Sequence, residues 1–126
     1  MKVLLVDDSK VVRVMLTRVL VELGFEVSEA AHGKAGLDLL QKGDSYDLML
    51  VDIHMPEMDG FEFLEAVRAQ PNYDGARIMM VTSDTHMDQV SRSLQSGANE
   101  YIMKPFTKDA LQEKLTLLGI SVATNG

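Results

Sequence analysis

The chain of 126 residues has no cysteine, which excludes disulfides, thiolate metal sites and cysteine nucleophiles. Basic residues are in deficit. Twelve Lys and Arg stand against nineteen Asp and Glu, a net charge of −7 with a pI near 4.8. Direct nucleic-acid binding usually needs a basic face, so this surface argues against it and fits solubility, a cation site or a basic partner. Long apolar runs are missing too. Stretches such as Val3-Leu4-Leu5-Val6 and Leu48-Met49-Leu50-Val51 stop far short of the roughly 18 residues of a membrane helix, so no membrane insertion is expected. The start, Met1-Lys2 followed by an apolar tetrad and Asp7-Asp8, lacks the longer apolar region and small-residue cleavage site of a signal peptide, and the expected compartment is the cytoplasm. There is no linker, internal repeat, low-complexity stretch or Gly-rich nucleotide loop.

What is present is the composition of one ordinary globular domain, 46% hydrophobic and 25% charged. Short apolar runs predict strands over Lys2–Val6, Glu26–Ala30, Asp47–Val51, Arg77–Val81 and Glu100–Met103. Several are apolar at consecutive positions, the pattern of parallel strands covered on both faces. Helical periodicity fills the intervals. Lys10 to Leu23 carries Val12, Leu16, Val19, Leu20 and Leu23 on one stripe before Gly24. Further helices are predicted over about Lys34 to Gln41, over Phe61 to Ala69, through Met87, Val90 and Leu94 ahead of Gly97, and from the N-cap candidate Thr107 through Leu111, Leu115 and Leu118. Five strand–helix units imply an α/β fold with a doubly wound parallel sheet and right-handed crossovers. The domain is expected over residues 1–120, with 121–126 a polar tail.

In such a sheet, ligands bind beyond the carboxyl ends of the strands. Asp7 and Asp8 follow the first run, Asp52 the third, Thr82 the fourth and Lys104 the fifth; nothing comparable follows the second. Alone, each has an ordinary reading: helix caps for Asp7 and Asp8, a solvated acid for Asp52, a turn for Thr82, a surface lysine for Lys104. Together they put three carboxylates, a hydroxyl and an ammonium on one rim. Three converging carboxylates are costly to ionise without a cation, and oxygen-only ligands in an open site favour Mg²⁺. A carboxylate can attack phosphorus, while a hydroxyl, an ammonium and Mg²⁺ hold the phosphoryl oxygens.

These residues, with Met55-Pro56, Asp59-Gly60 and Lys104-Pro105-Phe106, resemble the receiver domain of two-component response regulators over about residues 2–118, of the single-domain, chemotaxis-regulator type. The resemblance implies a flavodoxin-like fold, (βα)5 with strand order 2-1-3-4-5. It implies that Asp52 accepts a phosphoryl group from a sensor histidine kinase or histidine phosphotransfer protein. Mg²⁺ would be held by Asp8 and Asp52, by the backbone carbonyl of His54, and by Asp7 through water. Lys104 would pair with the phosphoryl group, Thr82 would bond it on activation, and Tyr101 would turn inward as the aromatic switch. The Lys104-Pro105 bond resembles the family's cis peptide. In the family, the positions that His54 and Asp84 would occupy tune phosphoryl lifetime. Phosphorylation would shift the fourth predicted helix, the fifth strand and the last helix, a face containing His86, Met87, Val90, Ser91, Gln95, Tyr101, Lys108 and Gln112, to control an unidentified protein target.

Periodicity leaves Val11, Val14 and Val21 off the core stripe of the first helix. Val11 and Val14, with Phe106, are expected to form part of the surface on which the histidine donor docks. The signalling face is not strongly charged, which suggests a monomer or weak dimer. His32, His54 and His86 have no zinc-ligand spacing. A haloacid-dehalogenase-like phosphohydrolase would need an acid two residues after its first-strand nucleophile, where Ser9 stands. A flavodoxin's phosphate would be repelled by Asp7-Asp8. A receiver working as a phosphorylation-independent binding module is the remaining alternative. The protein is expected to catalyse its own modification without being an enzyme toward a separate substrate.

Overall fold

The computed structural model describes residues 1–43, 45–73, 75–83, 91–92, 94–104 and 106–120. Five parallel strands, β1 (Lys2–Val6), β2 (Glu26–Ala30), β3 (Leu48–Asp52), β4 (Arg77–Thr82) and β5 (Glu100–Met103), form one sheet in the order β2-β1-β3-β4-β5. Helices α1 (Lys10–Glu22), α2 (Gly33–Gln41), α3 (Gly60–Arg68) and α4 (Lys108–Leu117) connect and cover it, with a 3₁₀ turn over Pro71–Tyr73. Ser91, Arg92, Leu94 and Gln95 are also helical.

Consecutive strand residues point to opposite faces, and both faces are dry. Leu4, Val6, Met49, Val51, Ile78 and Met80 pack with Phe63, Leu64 and Val67 of α3. Val3, Leu5, Leu48, Leu50, Met79 and Val81 pack with Leu16 and Leu20 of α1 and Leu111 and Leu115 of α4. This double coverage is why β1, β3 and β4 read as nearly unbroken apolar runs. Among the described residues no helix is long and apolar enough to cross a membrane.

Local chemistry sets the helix ends. The Ser9 hydroxyl accepts from the Val12 N–H at 3.3 Å, the Thr107 hydroxyl from Ala110 at 3.0 Å, and Asp59 and Glu62 form a capping box on α3. His32 caps α2 by accepting the Ala35 N–H on Nδ1 at 3.1 Å.

Some boundaries differ from the sequence reading by one residue. β3 and β4 extend to Asp52 and Thr82, because Asp52 stands opposite Val81 and Thr82 opposite Met103 in the ladder. Asp47 leaves the strand, and its carboxylate accepts the Lys2 N–H at 2.8 Å. α2 and α3 begin one residue early, at Gly33 and Gly60, and α3 ends one early because Ala69 is its C-cap. Leu23 likewise caps α1 without belonging to it. Leu94 is exposed.

Candidate functional site

Parallel strands end on the same side of the sheet, so Asp7, Asp52, Thr82 and Lys104 arrive at one edge. Asp7 follows β1 and is buried. Its N–H donates to the Ala30 carbonyl of β2 at 3.1 Å. One carboxylate oxygen accepts the Ser9 N–H at 2.8 Å, and the other accepts from Lys104 Nζ at 3.0 Å. Lys104 Nζ also lies 3.7 Å from Asp52 Oδ1. Asp8 is exposed, and one carboxylate oxygen from each of Asp7, Asp8 and Asp52 falls within 4.8 Å of the others.

The electrostatics follow from that crowding. Asp52 is 7% exposed, and its carboxyl is raised from 3.8 to about 6, first by burial and then by the charges of Asp7 and Asp8. The Lys104 ammonium and the backbone N–H of His54 oppose the rise without cancelling it. One ammonium against three carboxylates leaves the cluster short of positive charge. An oxygen-only donor set with that deficit suits a hard divalent cation.

Gly60, the first residue of α3, explains how Asp52 is held. A Cβ at this position would run into the Asp52 carbonyl oxygen and come within 2.8 Å of Ile53 Cα. The Gly60 N–H donates to the Ile53 carbonyl at 2.8 Å, so α3 sits directly on the end of β3. The intervening loop passes through Glu57 at φ 66°, an unusual conformation for a residue with a side chain.

Thr82 is fully buried, and its carbonyl accepts the Lys104 N–H at 2.7 Å, binding the turn after β5 to the end of β4. His54 is exposed in the loop after β3. Tyr101 is half-buried on β5, with Lys114 Nζ 4.4 Å above its ring and Glu100 Oε1 accepting from both Lys114 Nζ and the Tyr101 N–H. It does not join the acidic cluster.

Val11 and Val14 are 70% and 48% exposed on α1, as their off-stripe positions predict. Phe106 is half-buried against the core, where it lines an apolar cavity of about 160 Å³ with Val12, Met15, Leu16 and Lys104. The exposed Met15, which the periodicity did not single out, lines this cavity with Phe106. Pro105, and with it the cis-peptide expectation, lies outside the described residues, as do Asp84, His86, Met87, Val90 and the tail 121–126. Of the expected signalling face, Ser91 and Gln95 are exposed, and Tyr101, Lys108 and Gln112 are half-buried.

Sequence reasoning missed Arg13. Its Nη1 donates to the Asp7 carbonyl at 2.6 Å and its Nε lies 3.3 Å from Glu29 Oε1 on β2. Nothing in the local sequence separates it from a solvated basic residue on α1.

With that geometry in view, the family model for the response regulator receiver domain matches residues 3–116. The chain belongs to the response regulator receiver family. This receiver is 42% identical over 116 residues to a chemotaxis protein CheY homologue of Campylobacter jejuni, covering 91% of this chain and 89% of the relative. It superposes on the crystal structure of chemotaxis protein CheY4 of Vibrio cholerae with a TM-score of 0.86 at 38% identity, covering 92% of this chain and 96% of that one. A CheY-like receiver domain protein from Methanospirillum hungatei gives a TM-score of 0.82 at 34% identity, covering 93% and 91%. The receiver is accordingly a signalling domain of two-component systems, with the five-stranded 2-1-3-4-5 architecture of its relatives.

Proposed function

We propose that the chain is a phosphorylation-activated switch in which Asp52 accepts a phosphoryl group from a phosphohistidine on a sensor kinase or phosphotransfer protein. The observation that carries this reading is the buried Asp52 carboxylate set between Lys104, at 3.7 Å, and the acids Asp7 and Asp8. An Asp52 oxygen attacks phosphorus as the P–N bond breaks; the electron pair stays with the imidazole, which takes up a proton as it leaves. Lys104 holds one phosphoryl oxygen and the Thr82 hydroxyl another, so charge that develops on the transferring group meets positioned donors. Asp8, Asp52 and the His54 carbonyl would hold Mg²⁺, with Asp7 reaching it through water, and the ion would neutralise phosphoryl charge. The Asp7 carboxylate, already occupied by Ser9 and Lys104, supports the indirect role.

The switch acts by population shift. Bonds from Thr82 and Lys104 to the phosphoryl group favour one arrangement of β5, α4 and the preceding helical segment, and Tyr101 follows Thr82 inward. Val11, Val14 and Phe106 contribute to donor docking, and His54 with Asp84 sets phosphoryl lifetime. The domain extends over residues 1–120. The chemotaxis names of the relatives support output through contact with a protein target.

Intact-mass analysis after incubation with acetyl phosphate tests this. A single Mg²⁺-dependent phosphoryl adduct, absent in Asp52→Asn, is expected. No adduct in a protein that binds Mg²⁺ would replace the switch with a phosphorylation-independent binding module.

A further inference from the structure

The three carboxylates of the site are held by unequal means. Asp7 is gripped through both carboxylate oxygens, and Asp52 is the last residue of a central strand. Asp8 is exposed, and among the described residues no hydrogen bond or ion pair reaches its side chain. Its carboxylate is therefore placed by the backbone from which it departs. The peptide leading into Asp8 carries the Asp7 carbonyl, and that carbonyl accepts from Arg13 Nη1 at 2.6 Å. Arg13 is anchored in turn. Its side chain is 15% exposed, its backbone N–H donates to the Ser9 carbonyl at 3.0 Å, and its Nε stands 3.3 Å from Glu29 Oε1. One guanidinium thus ties α1, the turn after β1 and the neighbouring strand β2 together.

We propose that Arg13 is a positioning residue of the acidic site: by holding the Asp7–Asp8 peptide, with Glu29 as its counter-anchor, it sets where the Asp8 carboxylate meets a divalent cation. The inference rests on the cation reading above and adds to it a contribution from β2, the one strand that sends no side chain of its own to the rim. A charge-assisted bond from a planar, forked donor suits this task, because the fork can hold a carbonyl and a carboxylate at once. Two other roles for Arg13 make different predictions. If it only neutralised negative charge, removing it would make the cluster more negative and tighten a divalent cation. If it only braced the fold, removing it would lower stability and leave cation affinity alone.

The test is calorimetric titration of Mg²⁺ into the wild-type chain, Arg13→Gln, Arg13→Lys and Glu29→Gln at constant ionic strength, with thermal unfolding of each variant alongside. Arg13→Gln is expected to bind Mg²⁺ about tenfold more weakly, the lower end of what partners behind metal ligands contribute. Arg13→Lys keeps the charge but loses the fork and falls between. Glu29→Gln, a milder change at a half-exposed site, also weakens binding and carries the test if Arg13→Gln does not fold. Unchanged or tighter Mg²⁺ binding in folded Arg13→Gln, or in Glu29→Gln where Arg13→Gln does not fold, overturns the proposal. A wild-type chain that binds no Mg²⁺ overturns instead the cation reading on which it rests.

Discussion

Asp52 is kept against its own preference. Burial and the neighbouring acids raise its carboxyl to about 6, so near neutral pH the folded chain carries a charge that water would solvate better. The sign of the consequence follows from linkage. The folded value lies above 3.8, so the folded state binds this proton more tightly than the unfolded chain does. Ionised Asp52 therefore destabilises the fold above pH 6, and the penalty fades as the pH falls toward 4. Asp52→Asn removes the charge and keeps the shape. In metal-free buffer at pH 7.5 it should be more stable than wild type by on the order of 2 kcal/mol, an advantage that disappears near pH 4. Urea unfolding of both proteins across that range checks it. An advantage independent of pH would mean that the carboxylate charge is not the source of the cost.

At the scale of elements, Asp52 is positioned by the seating of α3 on β3. Gly60 permits it, since any side chain there would meet the Asp52 carbonyl and the Ile53 backbone, neither of which can step aside. Gly60→Ala should cost about 2–3 kcal/mol, as overpacking against backbone does, and should slow small-donor phosphorylation by shifting Asp52. Denaturant unfolding together with the rate of adduct formation would show both; loss of stability with an unchanged rate would mean that α3 does not position Asp52 for phosphorylation. The same element shows what a single sequence can reveal. Strand β1, the centres of β3 and β4 and the buried stripe of α1 were readable, because two-sided burial writes unbroken apolar runs and a half-buried helix writes a 3.6-residue period. The rim of Asp7, Asp8, Asp52, Thr82 and Lys104 was readable because parallel strands all end on one side. Arg13 was not, because its meaning lies in contacts to a carbonyl and to Glu29 that exist only after β1, β2 and α1 have packed.

For the molecule as a whole, the uneven charge of the rim couples ligand binding to global stability. A chain of net charge −7 that gathers three carboxylates at one sheet edge folds against local repulsion, and a cation bound only by the folded state removes it. Such a ligand, at a hundred times its dissociation constant, stabilises the folded state by about 2.7 kcal/mol. For a domain of this size that corresponds to a rise in Tm of roughly 10 °C. If Asp52 is a ligand, protons compete with the cation for it. With the carboxyl titrating near 6, at pH 5 about nine-tenths of the metal-free sites are protonated, and the apparent cation affinity drops about tenfold. The same Mg²⁺ concentration should then raise Tm by only about half as much at pH 5 as at pH 7.5. In Asp52→Asn, which has no proton to lose at that position, the smaller Mg²⁺ effect should be nearly the same at both values. Thermal unfolding of the two proteins with Mg²⁺ or with chelator, at each pH, makes the comparison. If the wild-type shift were equal at pH 5 and pH 7.5, Asp52 would not be a ligand, and the cation would have to be held by Asp8, the His54 carbonyl and Asp7.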